Sequence, residues 1–471
     1  MGKVVFVQRM WQEQLGVISL GGFLKEHGHR AEVIIEASGR KLASAVVAAR
    51  PTLVAFSATT GDHTWVAESA GILKQALPDV PIVAGGPHPT YFPEFVNSTA
   101  IDYICRGEGE ESLLELVEAI EGGADSTAIP NIWASIGGKV YQNDVRPLLD
   151  PLDKLPFADR SLYRKYPFFK RDGVFHVMFS RGCPFSCSYC FNAAYRELYD
   201  KKGRYVRLRS VEHSIAELQE TKRDYDVRLF YFVDDIFGLR RAWTDEFLDR
   251  YAREIGTPFI CNSHVKYITE ATVRGLARAK CFSVQFAIES ANDQIRAQVL
   301  KRRETKEEII AAGERLHRHG IRFLTYNMLG CPGETTEQAL ETIDLNTRMK
   351  TDFPRFSLLQ PYPQTPIYRS AVSAGFIEET DIDHFSASYF FGSVVKQANI
   401  KELINLQRLF LPAVRLPRLR RLVRWLIKLP PNFMFDLVYL PSIGLQYARC
   451  TKRGLIRTAL YGLRNLSFWR S

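Results

Sequence analysis

The chain has 471 residues, 46% of them hydrophobic and 24% charged, with a formal net charge of +10. That length implies two or three domains, and the composition excludes a disordered chain or a small disulfide-built fold. Five of the eight cysteines are scattered (Cys105, Cys261, Cys281, Cys331, Cys450), which points to a reducing, cytoplasmic setting rather than a disulfide framework. The charge is uneven: residues 396–471 hold fifteen Lys or Arg against Glu402 and Asp436, so the first 395 residues carry a net charge near −3. The basic character belongs to the C-terminal stretch alone.

In chain order, Met1 to Gln8 reads as a first strand, without the organisation of a signal peptide. Strand-like runs follow at 32–35, 53–56, 82–84 and 101–104, with helical stretches at 14–26, 41–49, 65–75 and 111–120 between them. This alternation predicts a Rossmann-like, doubly wound parallel sheet. A hairpin around Gly137-Gly138 and the proline-containing stretch Pro147–Pro156 read as its boundary. The alternation then resumes at longer intervals. Strands are predicted at 174–179, 228–233, 259–262, 284–288, 321–328 and 355–359, and helices at 214–221, 243–255, 270–278, 306–318 and 337–348.

The first of these later strands runs into Ser180-Arg181-Gly182-Cys183-Pro184-Phe185-Ser186-Cys187-Ser188-Tyr189-Cys190-Phe191-Asn192. The C-x3-C-x2-C spacing supplies three thiolates from one loop. A [4Fe–4S] cluster ordinarily takes four cysteines. With three, one iron keeps an open position, which separates a catalytic metal site from a closed structural one. The loop also follows a strand, where barrels carry their chemistry. A structural zinc knot or buried free thiols compete with this reading, but zinc wants four ligands and no second C-x2-C pair exists.

This motif, with Tyr189 just before its last cysteine, resembles that of the radical S-adenosylmethionine (SAM) superfamily. The resemblance implies that Cys183, Cys187 and Cys190 hold the cluster and that SAM chelates its open iron. Reduction then cleaves SAM to a 5′-deoxyadenosyl radical. It further implies a partial (β/α)6 barrel, oxygen-sensitive chemistry, and a reductant protein such as flavodoxin or ferredoxin.

Three loops follow strands of the first sheet: Ser57-Ala58-Thr59-Thr60, Gly85-Gly86-Pro87-His88-Pro89-Thr90 and Asp102 to Glu110. Ligands of open α/β sheets bind beyond the carboxyl ends of the strands. Each loop alone is also an ordinary turn. Together with Glu13-Gln14-Leu15-Gly16 they resemble the cobalamin-binding domain fused in front of many radical SAM domains. That resemblance implies a cobalamin site at Ser57, Thr59, Gly85, Gly86, Pro87, His88, Gly107 and Glu108. The chain departs from the family's Asp-x-His-x-x-Gly motif, since Asp62 and His63 are adjacent, so no motif histidine is expected beneath the cobalt.

In the barrel, Asp234 and Asp235 end a strand, where paired acids act on protons, orient SAM or substrate, or cap a helix. We take both as candidate catalytic residues. Glu289, in Phe286-Ala287-Ile288-Glu289-Ser290, resembles the family's SAM-bordering acid, and Tyr189 joins it as a SAM contact. Glu334, in Gly330-Cys331-Pro332-Gly333-Glu334, is expected as the first-turn acid of a helix. Gln364 replaces the glycine of the family's Pro-Gly-Thr-Pro turn.

Residues 416–428 wind into an amphipathic helix with Leu416, Leu419, Leu422, Val423, Leu426 and Ile427 on one arc and arginines opposite. The apolar run 433–440 is interrupted by Asp436 and bounded by prolines, too short to span a bilayer. A helix packed on the barrel competes with peripheral membrane contact, and nucleic acid ranks behind both.

The expectation is an α/β chain of three parts: a cobalamin-binding domain at 1–145, a radical SAM barrel at 146–390 and a basic helical region at 391–471. The function expected is C-methylation of a small hydrophobic substrate, a lipid, isoprenoid or tetrapyrrole, in the cytoplasm or at the inner face of the membrane. Radical cyclisation, ring contraction, oxidation, RNA modification and a non-enzymatic cobalamin or iron–sulfur sensor are the alternatives.

Overall fold

The structure, a computed structural model, describes residues 1–36, 39–170, 172–378, 385 and 392–465. The expected boundary at 390/391 lies outside the described residues.

The first sheet comprises β1 (Lys3–Gln8), β2 (Arg30–Ile35), β3 (Leu53–Ser57), β4 (Ile82–Gly85), β5 (Tyr103–Cys105), β6 (Ile132–Ile136) and β7 (Lys139–Gln142). Their order is β2-β1-β3-β4-β5-β6-β7. The first five are parallel, and the β6–β7 hairpin adds an antiparallel edge. The hairpin expected as a boundary is therefore part of the sheet. Because side chains alternate along a strand, Val4 and Phe6 pack under the helices Leu15–Glu26 and Glu110–Gly122. Val5 and Val7 pack under Gly39–Ala49 and His63–Ala76. Both faces are buried, which is why the strands read as continuous apolar runs.

The second sheet is wholly parallel. β8 (Val174–Val177) opens it, a separate antiparallel ribbon of β9 (Ser180–Arg181) and β10 (Arg207–Leu208) follows in the chain, and β11 (Leu229–Phe232), β12 (Phe259–Asn262), β13 (Cys281–Glu289), β14 (Arg322–Leu329) and β15 (Phe353–Leu358) complete it. The sheet order is β15-β14-β13-β12-β11-β8, six strands with a crossover helix between neighbours, as a partial barrel requires. Phenylalanines of β8, β11, β12 and β13 form the core beneath those helices.

Glu334 corrects one expectation. It precedes the N-cap Thr335 of the helix Thr336–Arg348 instead of lying in its first turn. Its buried carboxylate accepts hydrogen bonds from the N–H groups of Gly330 (2.7 Å) and Cys331 (3.3 Å) and closes that turn. Burial pushes its pKa up to about 7.

The C-terminal region is helical, with two departures from the sequence reading. The stretch 416–428 is not one helix: Pro417 starts a 3-10 turn, Pro417–Leu419, and only Arg420–Leu426 is α-helical. Val423 and Ile427 pack inward, while Leu416, Leu419 and Leu422 stay exposed. The apolar run at 433–440 continues through Pro441 as a single helix, Phe433–Cys450. Pro441 is exposed, and Ser442 Oγ donates to the Val438 carbonyl in the same turn (2.6 Å).

The far end of the chain returns to the first domain. Trp11 N–H donates to Asn465 Oδ1 (2.8 Å), and the Arg464 guanidinium lies 4.4 Å above the Trp11 ring. Between them Arg453 and Asp172 form a buried pair, with Nε to Oδ1 at 2.6 Å, and Arg453 also reaches Tyr447. Arg453→Ala is expected to destabilise the protein by about 3 kcal/mol or more, because Asp172 is left buried without its countercharge. The urea midpoint followed by circular dichroism checks this, and an unchanged midpoint contradicts it.

Candidate active site between the sheet and the barrel

The carboxyl ends of β1, β3, β4 and β5 face the mouth of the barrel across a cavity of about 530 Å³. Its inner wall is apolar, from Phe6, Val17, Leu20, Ala55, Val83 and Leu113. Its mouth carries Tyr91, Asn192, Tyr205 and Asp235. Two glycines let its walls pack closely. Gly86 sits at φ +94°, where a Cβ would stand 2.9 Å from the Ala58 carbonyl oxygen. Gly107, at φ +73°, would place a Cβ 1.9 Å from the Tyr199 hydroxyl.

Ser57, Gly85, Gly86, Pro87, Gly107 and Glu108 all line this cavity, but Thr59 and His88 do not. His88 is buried, stacked on His63 at 4.0 Å and within 3.1 Å of Thr60 Oγ1. Burial pushes its pKa down to about 3, so the ring is neutral. Among the described residues, no histidine lines the cavity.

The two ends of the cysteine loop, Arg181-Gly182 and Phe191-Asn192, belong to the opposite wall, while Cys183, Cys187 and Cys190 lie behind it. Cys183, Cys187 and Cys190 are free and partly exposed. Arg196 holds the loop's shape by donating to the carbonyls of Cys183 (2.5 Å) and Phe185 (3.1 Å). Asn192 bridges the site, its Nδ2 reaching Cys190 Sγ (3.6 Å) and Asp235 Oδ2 (3.2 Å). Burial pushes the Cys190 thiol up, opposed by its hydrogen bonds from Asn192 and by the N-terminus of the helix Phe191–Leu198 that starts directly after it. Among the described residues, no three His, Cys, Asp or Glu side chains converge on a single metal ion. Three thiols spaced along one loop suit a multi-iron cluster instead, where each takes its own iron. Burial pushes the Cys183 thiol up to about 12, so cluster binding must release its proton.

The two expected acids part company. Asp235 faces the cavity, and the surrounding protein pushes its carboxyl above the usual range. Asp234 is buried behind the loop, where Oδ1 accepts from Phe179 N–H (2.9 Å) and Ser180 Oγ (2.5 Å). Burial raises its pKa to about 6 against those bonds. It ties β8 to β11 just before the cysteines and caps no helix. Tyr189 donates to Glu289 Oε1 (2.9 Å) and accepts from Arg302 (3.2 Å). Burial raises the Glu289 carboxyl, opposed by Arg302.

Sequence reasoning missed a buried charge network that joins the two walls. Arg181 pairs with Glu108 (3.0 Å) and Glu110 (2.5 Å), and Arg207 pairs with Glu108 (2.7 Å). Glu108 N–H also donates to Tyr199 OH (2.9 Å). Burial alone would raise the Glu110 carboxyl, but Arg181 outweighs it and holds it low. Arg181 stands two residues before Cys183, and only that proximity in the motif offered a signal. Tyr91 and Phe191, stacked at 5.2 Å, carried none.

The comparisons with known proteins agree with this geometry. Residues 10–117 match the B12 binding domain and residues 177–345 match the Radical SAM superfamily. The chain is 30% identical over 328 residues to an uncharacterized methyltransferase, PH0819, of Pyrococcus horikoshii, covering 69% of this chain and 70% of that one. It is 26% identical over 371 residues to the anaerobic magnesium-protoporphyrin IX monomethyl ester cyclase of Rubrivivax gelatinosus, covering 75% and 65%. The solved structure of the cobalamin-dependent SAM radical enzyme OxsB shares the fold, with TM-score 0.70, 15% identity, and coverage of 99% of this chain and 75% of that one.

This is therefore a radical SAM enzyme with an N-terminal cobalamin domain. The chain belongs to the family of cobalamin-dependent radical SAM methyltransferases and cyclases. Its cofactors are a [4Fe–4S] cluster, SAM and cobalamin. Gly86→Val is expected to strain the turn at φ +94° and push the Ala58 backbone out of the cavity wall, lowering retained cobalamin about tenfold or more, a loss of ~1.4 kcal/mol. Absorbance after gel filtration reads the cobalamin, and the iron content should not change.

Proposed function

We propose that this enzyme transfers a methyl group to an unactivated carbon of a small hydrophobic substrate held between the sheet and the barrel. The observation that carries the reading is the shared cavity, whose one wall is built from the loops of the B12-matching domain and whose other wall adjoins the cysteine loop. When bound, the cluster with SAM supplies a carbon radical and methylcobalamin supplies the methyl group.

Within this reading the domains are 1–145, 146–390 and 391–471. Cys183, Cys187 and Cys190 hold the cluster, and Tyr189 with Glu289 flanks SAM. Ser57, Gly85, Gly86, Pro87 and Gly107 receive cobalamin against the apolar wall, which excludes water from the reacting carbon. Asp235 is the acid that faces the substrate, held by Asn192 (3.2 Å). Asp234 acts as a positioning residue through Ser180. Glu108 spends its oxygens on Arg181 and Arg207, so it joins the walls instead of binding ligand. Thr59 and His88, off the cavity, take no part.

Anaerobic turnover is expected to yield S-adenosylhomocysteine together with 5′-deoxyadenosine, both absent in Cys187→Ala. Mass analysis of the nucleosides checks it. 5′-Deoxyadenosine without S-adenosylhomocysteine would instead favour a cyclisation or oxidation, the reaction class of the cyclase relative.

The hydrophobic substrate class draws support from the C-terminal helices. Among the described residues, all large exposed hydrophobic side chains except Met1, Val47 and Ile136 lie between Leu416 and Leu463. Trp425 is 61% exposed and Phe433 72%. The exposed Arg418, Arg421 and Lys428 stand among them. No described helix is long and apolar enough to cross a membrane, so contact would be interfacial. Co-sedimentation with anionic phosphatidylglycerol vesicles is expected, falling about fivefold or more in Trp425→Ala/Phe433→Ala. Equal binding of both proteins, or of neither, would remove this support for the substrate class.

A further inference from the structure

The cysteine loop is a partition with a second open side. A cleft of about 1150 Å³ lies along it, between the loop, the turn after β12 and residues 301–304 ahead of the helix Lys306–Arg318. Cys187 lines this cleft, and among the described residues none lines both it and the cavity that faces cobalamin. The two openings thus approach the cysteine loop from different sides.

The cleft's charge is unbalanced in a specific way. Its acids are committed to the protein. Glu304 pairs with His264 and Arg302, Glu270 pairs with His319 and Arg318, and Glu308 closes a capping box with Thr305. Lys266, Lys301 and Arg303 are exposed, and none has an ion pair among the described residues. Between the last two, Arg302 turns inward to Tyr189 and Glu304, so the backbone presents alternate cations to solvent. On the cleft's other wall, Phe185, two residues before Cys187, stacks face to face on His264 at 3.9 Å.

We propose that this cleft is the docking surface for an acidic, one-electron carrier protein. The inference rests on Cys183, Cys187 and Cys190 holding the cluster. In each encounter the carrier's reduced centre loses one electron and the cluster gains one, with no bond or proton exchanged. Three spread, solvated cations around a wide opening suit a protein surface, where such charges steer encounter and orient the partner. They do not converge on a point as a small-anion site requires. Cys187 in the cleft wall brings the carrier to the cluster without disturbing the cofactor cavity.

The test uses the reconstituted full-length enzyme and two probes, a bacterial flavodoxin and a [4Fe–4S] ferredoxin. The variant is Lys301→Glu/Arg303→Glu, and the control is Arg241→Glu, an exposed arginine outside the cleft. Biolayer interferometry at 50 and 300 mM salt reads binding. The cluster's electron paramagnetic resonance signal is compared after reduction by flavodoxin hydroquinone and by dithionite. The expected result is binding of at least one carrier that weakens about tenfold or more in the double variant and becomes less salt-sensitive. Reduction by flavodoxin should slow while the dithionite signal keeps its amplitude. The proposal is overturned if neither carrier binds, if the double variant and Arg241→Glu behave alike, or if a single-stranded RNA oligonucleotide competes for the cleft as well as the carriers do. Iron and sulfide content, measured in the wild type and in Cys187→Ala, separates a failure of this proposal from a failure of the cluster assignment itself.

Discussion

The arginine–glutamate network of Arg181, Arg207, Glu108 and Glu110 is the constraint on which the rest of the site depends. Two cofactor domains that react across a shared cavity must hold a fixed separation, and surface ion pairs are too weak to impose one. Here the charges are largely buried, each carboxylate meets a guanidinium, and Glu108 further draws in the Tyr199 hydroxyl, which accepts from its N–H, and the Leu149 N–H, which donates to its carboxylate. Removing any one member would strand a charge in the interior, which is costly. The network also sits next to the chemistry: Glu108 and Glu110 line the cavity, and Arg181 stands two residues before Cys183.

Around that joint, individual hydrogen-bonding side chains do most of the positioning. Asp234 fixes the end of β8 through Phe179 and Ser180, so the cysteine loop leaves the barrel in one direction. Arg196 fixes the loop's far side through its carbonyls. The C-terminal helices complete the frame by returning Asn465 to Trp11 and sealing Asp172 with Arg453. One region thus serves the scaffold with its inner face and leaves an apolar, basic outer face exposed.

The parallel strands were legible because both faces of each sheet are largely buried, leaving unbroken apolar runs such as Val4–Val7 and residues 259–261. Helices with strong N-caps were legible too, and Lys306–Arg318 begins where Thr305 and Glu308 form a capping box. The C-terminal region was less so. Pro417 breaks a pattern whose periodicity continued across it, while Pro441, on an exposed helix face, breaks nothing. Whether a proline interrupts a helix depends on which carbonyl it deprives and what else can bond it, and that is not a local property.

The same division runs through the site. The chain's own spacing determined the three cysteines, with the open cluster they suit, and the glycine loops after the strands, because those features are set by residues near in sequence; the radical chemistry was legible only through the motif's resemblance to its family. Only the tertiary structure decided that His88 turns away from the cavity, that Asp234 and Asp235 serve different ends, and that Glu108 meets Arg181 and Arg207 from another domain. These are pairings between residues some 28 to 99 positions apart. A sequence records each charge but not its partner, and burial with that partner is what gives the charge its role.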